Sequence, residues 1–73
     1  MYTFGENLKK LRKDKNLTQK QLGEAVGGSQ RGIQNNELGV RKPSYDLLIS
    51  LADYFGVSVD YLVGRTDKPE INK

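Results

Sequence analysis

Ser29, Gln30, Arg31, Gln34 and Asn35 put one hydroxyl, three carboxamides and a guanidinium within seven residues. Each carboxamide sets a donor beside an acceptor, and the guanidinium is a rigid fork of donors. Groups of this kind recognise planar hydrogen-bonding edges. Glutamine and asparagine match N6 and N7 of adenine, and arginine matches O6 and N7 of guanine. None of the five is a ready nucleophile or general base. The chain has no cysteine and no histidine, which removes thiolates, the usual zinc ligand sets and the commonest proton-transfer group. Neither an enzyme, a metal or other cofactor nor a small-molecule substrate is expected.

Cations flank this cluster. Residues 1–42 hold nine Lys or Arg (Lys9, Lys10, Arg12, Lys13, Lys15, Lys20, Arg31, Arg41, Lys42) against four acids (Glu6, Asp14, Glu24, Glu37), and residues 43–73 hold three against five. The net charge of +3 is thus a basic first part joined to an acidic remainder. A polyanion is the natural partner of the basic part, although Lys9 to Lys15 alone would also suit the solvated face of a helix. The longest apolar run, Leu47 to Ile49, is far short of the roughly 20 residues that cross a bilayer. With no signal-peptide pattern at the start, the location expected is cytoplasmic, away from membranes.

Helix punctuation positions the cluster. Thr3 with Glu6 forms a capping box, and Phe4, Leu8 and Leu11 recur at helical spacing, so a first helix is expected over about residues 3–15. Thr18 with Gln21 is a second box, stapled by Leu17 and Leu22, with Leu22, Ala25 and Val26 facing inward and Gly27 ending a helix of about residues 18–26. Ser29 caps a third helix, 29–38, stopped by Gly39. Two short helices joined by a glycine-containing turn make a helix-turn-helix pattern. Ser44 opens a fourth helix, 44–55, and Ser58 a fifth, 58–63, each closed by a glycine. Residues 1–65 form one all-α domain, and 66–73 a polar tail or linker.

On the third helix, with Ile33 facing the core, Arg31 and Asn35 lie about 160° and 200° around the axis and point outward, flanked by Gln30 and Gln34. Amides are ordinary on exposed helices. Their place directly after the turn makes them candidate base readers.

Taken together, Leu8-x-x-Leu11-Arg12, Leu17-Thr18-Gln19-x-x-Leu22-Gly23-x-x-Val26-Gly27, Ser29-Gln30-x-x-Ile33, Glu37-x-Gly39, Arg41-Lys42-Pro43-Ser44 and Leu51-Ala52-x-x-Phe55-Gly56-Val57-Ser58-x-Asp60-Tyr61-Leu62 resemble the Cro and phage-repressor (XRE) family of helix-turn-helix regulators. The resemblance runs from about Phe4 to Arg65. It implies a compact five-helix, lambda-repressor-like fold and a phage or bacterial repressor, bound as a homodimer to a two-fold symmetric site on double-stranded DNA. Ser29, Gln30, Arg31, Gln34 and Asn35 would read bases, and Thr18, Gln19, Lys20, Arg41 and Lys42 would hold phosphates. Gln19 is expected to support Gln30, and Arg12 to form a partly buried ion pair with Glu37. Protomer contacts are expected after the recognition helix, near the apolar Val57, Val59 and Leu62. The alternative is a protein-interaction module of the same fold, an antitoxin or an antagonist of another regulator.

Four residues depart from the family's pattern. Gly23 replaces an alanine, Gly28 an apolar residue under the turn, Asn36 an apolar or aromatic residue, and Leu38 an asparagine that often faces phosphate. Either the core under the third helix is loose, or Leu38 tucks in to cover the space beside Asn36.

Overall fold

A computed structural model of the chain describes residues 3–70. The first two residues of the expected domain and the last three of the expected tail lie outside the described residues. Five helices follow in order, α1 (Phe4–Asp14), α2 (Gln19–Ala25), α3 (Gln30–Leu38), α4 (Tyr45–Phe55) and α5 (Val59–Leu62), with no strand among the described residues. The fold is all-α.

Each helix starts where a hydroxyl takes the amide three residues on, which would otherwise lack a partner. Thr3 accepts from Glu6 N–H (3.3 Å), Thr18 from Gln21 (3.0 Å), Ser29 from Gly32 (3.0 Å), Ser44 from Leu47 (3.2 Å) and Ser58 from Tyr61 (3.0 Å). In α1 and α2 the bond is returned. Glu6 Oε1 accepts from Thr3 N–H at 3.1 Å, and Gln21 Oε1 from Thr18 N–H at 2.9 Å.

The Thr3 backbone N–H, and after it the Thr3 hydroxyl at 2.9 Å, hold the Glu6 carboxyl below the ordinary glutamate range. A lowered folded-state pKa means that the box stabilises the domain above the unfolded pKa and fades as pH falls through the folded one. In an NMR titration Glu6 should protonate at lower pH than an unstructured glutamate, and Thr3→Ala, which removes the hydroxyl and keeps the N–H, should move it part of the way back. An ordinary value in the wild-type chain would mean that the box is open in solution.

Leu8, Leu22, Ile33, Leu51, Ala52, Val57 and Leu62 form the buried core, so every helix and the α4–α5 connection contribute to it. With Asn36, Asn7 is a polar member of this interior. Its Nδ2 donates to the carbonyls of Tyr61 (2.8 Å) and Leu62 (3.4 Å), tying the last turn of α5 to the first of α1.

Two glycines fix how closely the helices around α3 approach. A Cβ on Gly5 would stand 2.5 Å from the Glu37 carbonyl oxygen and 2.8 Å from that of Asn36. One on Gly23 would stand 2.7 Å from the Ser29 carbonyl carbon, which explains why alanine is absent there. Gly28 is different, since a Cβ would meet Leu47 Cδ1 at an ordinary 3.5 Å. Gly5→Ala should destabilise the domain by about 1–3 kcal/mol as α1 is pushed off the end of α3. Helix propensity alone would stabilise it by about 1 kcal/mol. Urea unfolding distinguishes the two signs, and a more stable variant would place α1 farther from α3 than it stands here.

Four expectations need correction. Ala25 is exposed rather than inward, because α2 ends at that residue. Val57 and Leu62 belong to the core and Val59 packs against it, since a helix as short as α5 spends all its apolar residues on its own domain. Leu38 does not tuck in. It is 67% exposed while Asn36 is 3% exposed, because the last turn of α3 sets Asn36 under α1 and turns Leu38 to solvent. Finally, the tail is not wholly separate, for Ser58 N–H donates to the Pro69 carbonyl at 2.9 Å.

Candidate nucleic-acid interface

The turn between α2 and α3 spans four residues, Val26 to Ser29, with Gly27 in the left-handed conformation and Gly28 N–H donating to Gly23 O at 2.7 Å. This fixes the start of α3 against α2 through the backbone. At its far end α3 closes on Gly39 (φ 76°), and the amides of Val40 and Arg41 return to Asn35 O at 3.0 and 3.4 Å. The loop carrying Arg41 and Lys42 is thereby tied to the helix.

Of the candidate base readers, Gln30, Arg31 and Gln34 are exposed. Asn35 is half-buried, a departure from the outward position expected, because the 39–41 loop folds back over its turn. Ser29 is exposed, but its oxygen serves as the cap of α3, which leaves the O–H and one lone pair for other partners. Among the phosphate candidates, Thr18, Lys20, Arg41 and Lys42 are exposed and Gln19 is half-buried.

One groove at the junction of α1, α2 and α3 is lined by Thr18, Gln19, Lys20, Gln30 and Gln34 together with Lys9, Lys13 and Leu38. Ser29, Arg31 and Asn35 lie outside its lining. Arg41 and Lys42 line a neighbouring groove on the other side of Leu38. Lys9 and Lys13 therefore stand beside the amide cluster, a placement that the spacing of α1 alone left open.

Beneath this groove Arg12 and Glu37 form a two-point ion pair. Arg12 Nε donates to Oε2 at 2.6 Å and Nη2 to Oε1 at 3.1 Å, with side-chain exposures of 11% and 4%. The remaining Arg12 donor, Nη1, reaches Leu17 O at 2.8 Å, so the same guanidinium closes the α1–α2 connection. Gln19 Nε2 also donates to Glu37 Oε1, at 3.2 Å. Sequence similarity had paired Gln19 with Gln30; the structure places its amide nitrogen on Glu37. A carboxylate can only accept, so Glu37 fixes which way the Gln19 amide faces. Its Oε1 and second N–H remain for other partners.

Three functional features had not been singled out from sequence. Gly5 lets α1 approach the backbone of α3, Asn7 locks α5 to α1, and Asn16 (φ 56°) adopts the left-handed conformation that turns the chain out of α1. Only Asn16 carried a local signal, since asparagine is among the few side chains that tolerate that conformation.

A helix-turn-helix family model matches residues 8–62. The chain is 43% identical over 60 residues to the uncharacterized HTH-type transcriptional regulator YqaE of Bacillus subtilis (strain 168), covering 82% of this chain and 52% of that protein. It is 40% identical over 67 residues to YobD of the same organism, covering 92% and 60%. The chain thus spans little more than half the length of these curated relatives. Among solved structures it is similar to the P22 c2 repressor in complex with the synthetic operator 9T, at a TM-score of 0.82 and 30% identity over 86% of this chain and 96% of that one. A transcriptional regulator from Listeria innocua gives 0.80 and 39%, over 85% and 58%. The chain belongs to the XRE-type helix-turn-helix family of DNA-binding transcriptional regulators.

Proposed function

We propose that the domain binds double-stranded DNA sequence-specifically as a cytoplasmic transcriptional repressor, with α3 in the major groove. The observation that carries this is the joining of Gln30, Gln34 and Lys20 in one groove, beside the exposed Arg31 and between the cations of α1 and the Arg41-Lys42 loop. Planar groups face the base edges, while Lys20, Arg41 and Lys42, with Thr18 and Gln19, meet phosphates on either side. Gln19 is held by Glu37. It can accept from Gln30 through Oε1 and give its second N–H to a phosphate, which would fix the Gln30 amide for adenine. Asn35, half-covered, contributes less to reading than Gln30, Arg31 and Gln34.

One helix of this length reads only a few base pairs, so two copies on a two-fold symmetric site are proposed. The protomer measures 30 × 23 × 21 Å, and equivalent α3 helices one DNA turn apart are about 34 Å from each other. Two protomers would then lie side by side on one face of the duplex. With Val57 and Leu62 in the core, the large apolar side chains exposed after α3 among the described residues are Val40, Tyr45 and Tyr54, and Val40 and Tyr45, 73% and 77% exposed, are the two proposed for protomer contact.

Selection of bound duplexes from a random pool tests this directly. The result expected is an enriched site with two-fold symmetry, and a footprint over both halves. An asymmetric site would remove the dimer, and no enrichment would remove DNA reading. One observation favours the protein-binding alternative: Leu38, Val40 and Tyr45 are exposed and apolar. The surrounding cations and amides weigh against it, since charged residues are depleted at the centre of protein interfaces.

A further inference from the structure

We propose that Leu38 is a base-reading residue that selects thymine through its C5 methyl group, an inference that rests on DNA binding by α3. Leu38 lies about 140° around the helix from Ile33, between Gln34 at about 100° and Arg31 at about 160°. Arg31, Gln34 and Leu38 therefore form one stripe at i, i+3 and i+7. Leu38 is 67% exposed at the end of that stripe and borders the groove that Gln30 and Gln34 line. It borders the Arg41-Lys42 groove as well, so cations stand on both sides of it.

A leucine has no donor or acceptor for a phosphate or a polar base edge. The apolar feature that the major groove displays is the thymine methyl, and an aliphatic side chain on a reading helix recognises it by excluding water from both. The basic surroundings choose the occupant, since they hold the polyanion against this end of α3 whereas an apolar protein partner would have to cover them. Leu38 stands one helical turn beyond Gln34, about 6 Å along the axis. It therefore meets a different base pair from the one that Gln34 reads.

The test uses the duplex enriched from the random pool. Its thymines are replaced one at a time by deoxyuridine, which lacks only the methyl, and binding is measured for wild type, Leu38→Ala and Leu38→Met. The wild-type chain should lose about fourfold in affinity at one thymine of each half-site, the equivalent of one buried methyl. Leu38→Ala should lose that sensitivity and no other, and Leu38→Met should retain it. Because the side chain is exposed, the variants keep the fold, which their melting curves would show. If Leu38→Ala responds to every deoxyuridine as wild type does, or if no thymine is sensitive in wild type, the proposal is overturned while DNA reading stands. A pool that yields no enriched duplex overturns DNA reading itself, and Leu38 with it.

Discussion

Arg12→Ala should lower the unfolding free energy by about 3–5 kcal/mol, because it strands the Glu37 carboxylate at 4% exposure without its cation. The variant also loses the bond from Nη1 to Leu17 O, which holds the link between α1 and α2. A domain of this size has roughly 4–11 kcal/mol of stability in total. Each kcal/mol is worth about 4–8 °C in melting temperature. The midpoint is therefore expected to fall by more than about 12 °C, or the variant to be unfolded at room temperature. A change below about 1 kcal/mol in thermal or urea unfolding would mean that the pair is open to solvent and screened.

The same pair need not add net stability to the wild-type chain. Removing two charges from water offsets much of their attraction, and an apolar pair of similar volume often does as well. Arg12→Met combined with Glu37→Leu should therefore recover most of the stability lost in Arg12→Ala. It should not recover DNA recognition, since Gln19 would lose the carboxylate that fixes its amide. The ion pair thus acts as an orienting device under α3, joining the first helix, the start of the second and the end of the third.

Interactions between residues three or four apart were open to reading from sequence, and those between distant residues were not. The caps at Thr3, Thr18, Ser29, Ser44 and Ser58 are each made three residues along the chain, so the residue types that make them lie together in sequence. The helix bounds accordingly agree with the punctuation to within a residue. Gly5 meets Glu37 across 32 positions, and Asn7 meets Tyr61 across 54, and neither carries a local mark of its partner. The association of Arg12 with Glu37 came from family resemblance, because a lone arginine and a lone glutamate 25 positions apart carry no sign of contact. Helical angle places Arg31 outward with Gln30 and Gln34 flanking it, and all three are exposed. It failed for Asn35, whose surroundings are set by a loop lying outside the helix. Apolar spacing likewise shows that Val57 and Leu62 are covered, not by which chain, and both lie in the core of their own domain.

Arg31→Ala and Lys42→Ala should separate reading from holding. Arg31 is exposed on the outer face of α3, where its fork can meet O6 and N7 of one guanine. Its removal should weaken binding at the enriched site by about 1–3 kcal/mol, roughly 5- to 150-fold, and relax preference at one or two base positions. Lys42 is exposed in the loop tied to the end of α3, outside the helix itself, and the partner proposed for it is a phosphate. Lys42→Ala should weaken strong and weak sequences almost alike. It should also reduce the slope of log affinity against log salt by about 0.9, the counterion release of one phosphate contact. The two readouts are independent, since a base contact changes the ranking of sequences and a phosphate contact changes the salt slope. Equal losses on every sequence for both variants would make Arg31 a phosphate contact and pass base reading to Gln30, Gln34 and Asn35. No loss for either variant would transfer the exposed face of α3 to a protein partner, for which Leu38, Val40 and Tyr45 would be the anchors to test.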